Sequence, residues 1–462
     1  MHELLHQSAA SLARIIRDGA VSPSEVVQAC LDRIDALNPT LNAIVTLAPD
    51  VLDRAREAEA ALSAGIGVGP LLGVPFTVKD TIEAASLLCT SGSSLRKEFV
   101  PFRDAPAVAR LKAAGAILLG KTNPAEMAMD YTSDNPVFGR TNNPYDLSLS
   151  PGGSSGGEAA AISACLSPCG LGSDLAGSIR IPAHFCGIAG LKPSTGRIPG
   201  EGQFPPGIGP YSLGAVIGPM ARRVEDLQLL FRALAGTDSA NLADSRKRIR
   251  RWRVAWYSED GLAPVTDETH ETVRAAAAVL AKAGLVVEER LPPAVCRGHE
   301  LWLKLFSRAS VVQLRQVYEG HEREAGSFVR WRLETADESP LPGIDDYISA
   351  WMERDRLRLS LLEWMKDVPL LLAPVGATPA VGHGTHKVTV RGETINEFRA
   401  FSYSQTFNTF DLPAVSVSAG KTVEGLPIGV QVIGRPFAEE FVLAAAAIIE
   451  EGLGGWRLSE ML

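Results

Sequence analysis

Two glycine- and serine-rich loops hold the side chains with the clearest chemical potential in this chain. Ser150-Pro-Gly-Gly-Ser154-Ser155-Gly-Gly-Glu158 leads into an alanine-rich stretch, and Gly170-Leu-Gly-Ser-Asp174-Leu175-Ala176-Gly177-Ser178-Ile-Arg180-Ile-Pro182 follows it. A serine hydroxyl becomes a nucleophile when a base stands beside it. Glycines let the backbone approach a substrate closely and aim N–H groups at a developing oxyanion. Two such loops flank one short helix of roughly ten residues, an arrangement that brings both toward a shared site. Serine-rich surface turns would not call for so many glycines pressed against an apolar helix.

Several other motifs offer chemistry and fail on context. Gly115-Ala-Ile-Leu-Leu-Gly120-Lys121-Thr122 matches a P-loop letter for letter. A P-loop needs strand, loop, then helix, so that N–H groups face phosphate. Here a helical stretch ends at Gly115, the nominal loop is an apolar strand, and Asn123-Pro124 blocks a following helix. Gly152 to Gly156 fits the G-x-S-x-G elbow with Ser154 as nucleophile, but its approach is polar and ends in Pro151 rather than in a buried strand. His383 and His386 lie downstream without a clear acid partner. Ser94-x-x-Lys97 and Ser133-Asp134-Asn135 mimic part of a β-lactamase set that lacks its third motif. Cys165, Cys169, His184 and Cys186 have the wrong spacing for a zinc ribbon or finger and read as buried thiols and core. No metal and no cofactor is expected.

The elements that must position these loops follow from periodicity. Ser22-Pro23-Ser24-Glu25 starts a helix, with a serine cap and proline in the first turn, and Asn38-Pro39 is expected to stop it. From about residue 71 to 235, short apolar runs (71–78, 116–119) alternate with helical stretches, which predicts α/β layering. A helix over 265–284 and a strand over 286–289 follow. Residues 299–366 read as mostly helical, with Trp302, Phe306, Tyr318, Phe328, Trp331 and Trp351 more often core than pocket. Strand candidates return at 370–372 and 428–433. The basic cluster 246–253 precedes a strand-like Val254-Ala255-Trp256 and reads as a solvated linker. With no repeat or low-complexity linker, one large domain is expected over 1–462: a helical 1–60, a core over 61–235, a variable and mostly helical 240–370, and the rest of the core from 371.

At this point the chain resembles a known family. Pro-Gly-Gly-Ser-Ser-Gly-Gly, then Gly-Ser-Asp-x-x-Gly-Ser-Ile-Arg-x-Pro, is the hallmark of amidase signature enzymes. Gly73-Val-Pro-Phe-Thr-Val-Lys79-Asp80, Gly139 to Pro144, Phe185 to Pro193, Ile217 to Arg222 and Gly425 to Gln431 also match. The resemblance is weakest over 240–370. It implies a large mixed twisted β-sheet covered by helices on both faces, and hydrolysis of an amide C–N bond. It also implies Ser178 as nucleophile, Ser154 (after a cis peptide bond) as proton relay and Lys79 as general base. N–H groups of Leu175, Ala176, Gly177 and Ser178 would form the oxyanion hole, with Ser155, Asp174 and Arg180 supporting them. Burial is expected to lower the lysine below its reference value of about 10.4 so that it accepts a proton. Met127, Asp130 and Tyr131 precede the serine loop and are expected at the substrate pocket, where Asp130 would favour a cationic substrate unless it sits on the surface.

Two departures from the family stand out. Alanine at 176 replaces the usual glycine, and strain of about 1 kcal/mol or more is expected there if φ is positive. Asp411-Leu-Pro413 replaces glycine-leucine-proline, altering either a pocket wall or a turn. The expected substrate is a small carboxamide, aryl amide or urea-like compound. The alternative is the glutamine-hydrolysing component of a tRNA-dependent amidotransferase, although Glu201 to Gly207 looks unlike that component. A purely binding role does not suit a chain that keeps all three triad residues.

Composition sets the remaining bounds. The 462 residues are 46% hydrophobic and 21% charged, with a net charge of −8 and a pI near 5.6. An acidic balance argues against a nucleic-acid surface. His2, Glu3, His6 and Arg14 interrupt any apolar leader, and no run is long enough for a membrane span. Six scattered cysteines form no disulfide framework. A cytoplasmic enzyme, compatible with a homodimer, is the expectation.

Overall fold

The computed structural model describes residues 2–65, 69–236, 241–335 and 343–461. Eleven strands form one sheet. In chain order they are β1 (Ile44–Leu47), β2 (Pro75–Lys79), β3 (Ile117–Thr122), β4 (Cys169–Asp174), β5 (Ala189–Lys192), β6 (Val216–Ala221), β7 (Arg253–Trp256), β8 (Val286–Glu289) and β9 (Leu370–Pro374), joined by β12 (Ala414–Lys421) and β13 (Pro427–Gly434). Between these last two groups, β10 (Lys387–Val390) and β11 (Glu393–Asn396) pair as a separate hairpin. The spatial order in the sheet is β1-β3-β2-β4-β6-β5-β12-β13-β9-β7-β8. Pairing is mixed: β3, β2 and β4 run parallel, as do β9, β7 and β8, and the strands between are antiparallel.

Both faces of the sheet are covered, and the alternation of side chains shows it. Leu370, Leu372, Val430 and Val432 join a core with the helices Val224–Ala235, Asp267–Lys282 and Glu439–Leu453. Leu371, Ala373 and Ile433 point the other way, into a core with Trp302, Phe306, Leu361 and Phe407. Burial on both faces explains why these strands read as continuous apolar runs, since a half-exposed strand would alternate with polar residues. The expected fold class is the observed one.

Two local expectations are corrected. The helix that begins at Pro23, with a complete Ser22/Glu25 capping box, runs through Pro39 to Leu41. Proline in a last turn forfeits only one hydrogen bond, and Asn38 compensates by accepting from Ala43 and Ile44 N–H before Asn42 turns left-handed at φ 51°. The basic cluster is no linker. Arg246, Lys247 and Arg248 end the helix Leu242–Ile249, and Arg246 and Arg248 pair with Glu451 and Glu440 of the C-terminal helix. Cations in a last turn also complement the helix dipole.

Candidate active site

Lys79 is the last residue of β2, an interior strand between β3 and β4, and is fully buried. Its Nζ lies 2.6 Å from Ser154 Oγ and 3.0 Å from Ser173 Oγ, within hydrogen-bond reach of both. Ser154 follows a cis Gly153–Ser154 peptide, and Gly153 is required: a Cβ there would fall 2.5 Å from the Thr132 carbonyl oxygen. The helix between the two loops spans Gly156–Ser163, eight residues. Ser178 stands beside the N-terminal end of this helix, 7% exposed, and its carbonyl accepts from Ser155 N–H at 3.2 Å. Ser154 and Ser178 line the same cavity of about 50 Å³, together with Met127, Ser173 and Leu175.

The environment favours a neutral amine. Burial drives Lys79 down to about 7, against the opposing charges of Asp174 and Glu158. A lysine at that value is about half unprotonated at neutral pH, and its free-amine form can accept a proton.

Asp174 braces the loop ahead of Ser178. Its Oδ1 accepts from Gly177 N–H (2.8 Å) and its Oδ2 from Ile179 N–H (3.1 Å). Arg180 donates to both oxygens, and Asn408 adds a further bond at 2.9 Å. The whole cluster is buried; burial opposes ionisation of Asp174, but the Arg180 guanidinium holds its carboxyl well below the usual range. Gly177 N–H is thus committed to Asp174. Among the described residues, the N–H groups of Leu175, Ala176 and Ser178 have no intramolecular partner and remain available to an oxyanion.

The strain expected at Ala176 is absent. The left-handed residue of this loop is Gly177, at φ 105°, where a Cβ would also meet Ser404 Cβ at 2.6 Å. Asp411 does occupy a left-handed turn, at φ 49°, a conformation aspartate tolerates better than most residues. It caps Thr195 through N–H (3.1 Å) and Oγ1 (2.7 Å), so its substitution concerns a turn.

On the other side of Ser178 a second cavity of about 50 Å³ is walled by Asp130, Tyr131, Trp302, Phe306, Arg332 and Phe398. Asp130 and Phe398 also border a larger cavity of about 780 Å³ with Phe328, Trp331, His386 and Glu397. Asp130 therefore lies at a junction of cavities rather than on an open surface. Its carboxylate accepts from Tyr131 N–H and Thr132 Oγ1, and burial pushes it up. Glu397 is pushed to about 7, by burial first and then by the charge of Asp130. Trp302 and Phe306 are core and cavity wall at once, whereas Trp331 is 47% exposed.

Sequence reasoning did not single out Ser173, Glu158 or Arg332. Ser173 lay inside a quoted motif, and its position directly before Asp174 at a strand end was the available signal. Nothing local marks Arg332, which reaches the cavity only through the packing of distant helices. The P-loop look-alike is strand β3, with Lys121 paired to Asp80 at 3.1 Å. Cys165, Cys169 and Cys186 are buried free thiols. Among the described residues no group of three metal-ligating side chains occurs, and no helix is long and apolar enough to cross a membrane.

Comparison with known proteins gives the family. The Amidase family pattern matches residues 25–443. Human fatty-acid amide hydrolase 2 is 32% identical, over 98% of this chain and 90% of its own length. The A-type component of glutamyl-tRNA(Gln) amidotransferase from Thermus thermophilus is 35% identical, over 97% of each chain. The solved structure of 6-aminohexanoate cyclic dimer hydrolase complexed with substrate superposes with a TM-score of 0.85 and 28% identity, over 99% of both chains. The chain belongs to the amidase signature family of amide hydrolases.

Proposed function

We propose that this protein hydrolyses the C–N bond of a small-molecule amide through an acyl-enzyme on Ser178. The observation that carries this reading is the buried Lys79 amine 2.6 Å from Ser154 Oγ, with Ser178 lining the same cavity as Ser154. As Ser178 Oγ attacks the amide carbonyl, its proton passes to Ser154 while the Ser154 proton passes to Lys79. The free N–H groups of Leu175, Ala176 and Ser178 stabilise the tetrahedral oxyanion. Collapse breaks the C–N bond, and the proton returns along the same path to the leaving nitrogen. Water then attacks the acyl ester, releasing the acid and restoring Ser178. Ser155 and the Asp174–Arg180 pair hold the loop, and no cofactor takes part. The enzyme works in the cytoplasm, and a homodimer is compatible with the reading.

The aromatic walls beside Ser178 favour a substrate with an apolar or aryl portion, and Asp130 favours positive charge beyond it. The test is release of ammonia or amine by the purified chain from a panel of primary amides, anilides and urea derivatives, beside Ser178→Ala and Lys79→Ala. Turnover lost in both variants supports the triad. Turnover that survives Ser178→Ala but not Ser154→Ala would transfer the nucleophile to Ser154. A second reading, the glutaminase component of a tRNA-dependent amidotransferase, draws on the 35% identity to such a component. Hydrolysis by the isolated chain without ATP or tRNA counts against it, and silence across the panel favours it.

A further inference from the structure

Glu158 is a fully buried carboxyl group that the mechanism above leaves unused. It stands in the first turn of the helix that follows Ser154, in a socket built from three strands. Thr77 Oγ1 donates to its Oε1 at 2.5 Å and Thr122 Oγ1 to its Oε2 at 2.8 Å. Thr77 precedes Lys79 by two residues on β2, so both side chains share one face of the strand. Thr122 is the register partner of Lys79 on β3. The third wall is Gly170 of β4, paired with Thr77, where a Cβ would come 2.0 Å from Glu158 Oε1. Two hydroxyls from strand positions flanking Lys79, and a glycine that clears the space, therefore hold this carboxyl on the lysine's face of the sheet.

We propose that Glu158 is a positioning residue for Lys79: its carboxyl group, held by Thr77 and Thr122 on the lysine's face of the sheet, determines whether the amine is free to take the proton from Ser154. With Glu158 neutral, Lys79 is released as a free amine. With Glu158 ionised, its charge holds the proton on the lysine. The inference rests on the reading of Lys79 as general base.

The other charges around the pair are accounted for. Asp174, at the end of β4, is bound by Arg180. Arg222, after β6, donates to the carbonyls of Ile162, Ser167, Leu5 and Gln7. Lys121 is paired with Asp80. Cys165 and Cys169 are thiols raised by burial. Among the described residues, Glu158 has no ion-pair partner within 4.0 Å. Burial pushes its carboxyl up, opposed by the Thr77 and Thr122 hydroxyls and then by the charge of Lys79.

The test is Glu158→Gln, which keeps the shape and removes the charge. Two quantities are followed against pH: kcat/KM on an amide substrate, and the rate at which a fluorophosphonate labels Ser178. The acid limb of both profiles should move to lower pH by about half a unit or more, roughly threefold in rate on that limb, with the plateau little changed. Thr122→Val, which removes a bond that favours the ionised carboxyl, should move the limb the same way by less. Acid limbs that superimpose on wild type, with only thermal stability lowered, would reduce Glu158 to a structural role and overturn the proposal. Should Glu158→Gln fail to fold, the Thr122→Val profile decides in the same way. Turnover persisting in Lys79→Ala would instead remove the base on which the inference rests, a separate outcome from an unmoved limb.

Discussion

Between Lys79 and Arg180 the important polar side chains are buried and multiply bonded, whereas residues 299–335 and 343–364 are mostly helical and carry bare apolar groups on their outer faces. Asp174 alone accepts bonds from two backbone N–H groups, Arg180 and Asn408. Ile344, Met352 and Leu359 of the helix Ile344–Trp364 are 70%, 69% and 67% exposed. The first region is over-determined, so single changes there leave buried charges or donors unpaired at high cost. The second contributes Trp302, Phe306 and Arg332 to the cavity beside Ser178, and is freer to vary. In the proposed function, reaction chemistry and substrate choice thus fall to parts of the chain under different physical constraint.

The largest expected effect tests the first region directly. Ser178→Ala and Lys79→Ala should each lower kcat/KM by at least about a thousandfold, and the double variant should lose little more, because members of one catalytic unit are not additive. Additive losses in steady-state kinetics would mean that the two residues act separately. Next is stability. Arg180→Leu leaves Asp174 buried and unpaired and should cost about 3–5 kcal/mol in denaturant unfolding; a cost below about 1 kcal/mol would show the bracing network to be far less determined than its bonds indicate.

The pH profile follows in size. As the proposed base, Lys79 must be neutral to act, and burial lowers it to about 7. Activity should therefore be full above that pH and fall about tenfold per unit below it. Activity still climbing between pH 8 and 10 would place the base elsewhere or leave the lysine unshifted. The smallest effect belongs to the cavity junction: Asp130→Ala should lower kcat/KM for a cationic amide by up to about tenfold, ~1.4 kcal/mol, and leave its neutral isostere nearly unchanged. An equal effect on both would remove Asp130 from substrate selection and blur the division between the two regions.

The contrast also explains what was legible in the chain. The serine-capped helix start at Ser22, the strand over 286–289 and the helix expected over 265–284 are local features, each decided by residues a few positions apart, and they appear at Ser22, Val286–Glu289 and Asp267–Lys282. The glycine-serine loops announce close backbone approach for the same reason. Pro39 misled because its penalty depends on what lies beyond it, namely the Asn38 side chain and the left-handed Asn42. The 246–253 cluster misled because Glu451 and Glu440, the partners of Arg246 and Arg248, lie about two hundred residues away.

By itself, then, the sequence determined the local conformations, the α/β class and the set of side chains with chemical capability. Tertiary structure alone decided the convergence. Lys79 meets Ser173 across 94 residues only because β2 and β4 lie side by side in the sheet. The left-handed residue of the serine loop proved to be Gly177 rather than Ala176, since packing against Ser404 leaves no room for a Cβ there. Glu158 has its place because three strands in register form its socket. A chain's neighbours in sequence fix its torsions, but burial and strand register fix which charges face each other, and those fix the proton on Lys79.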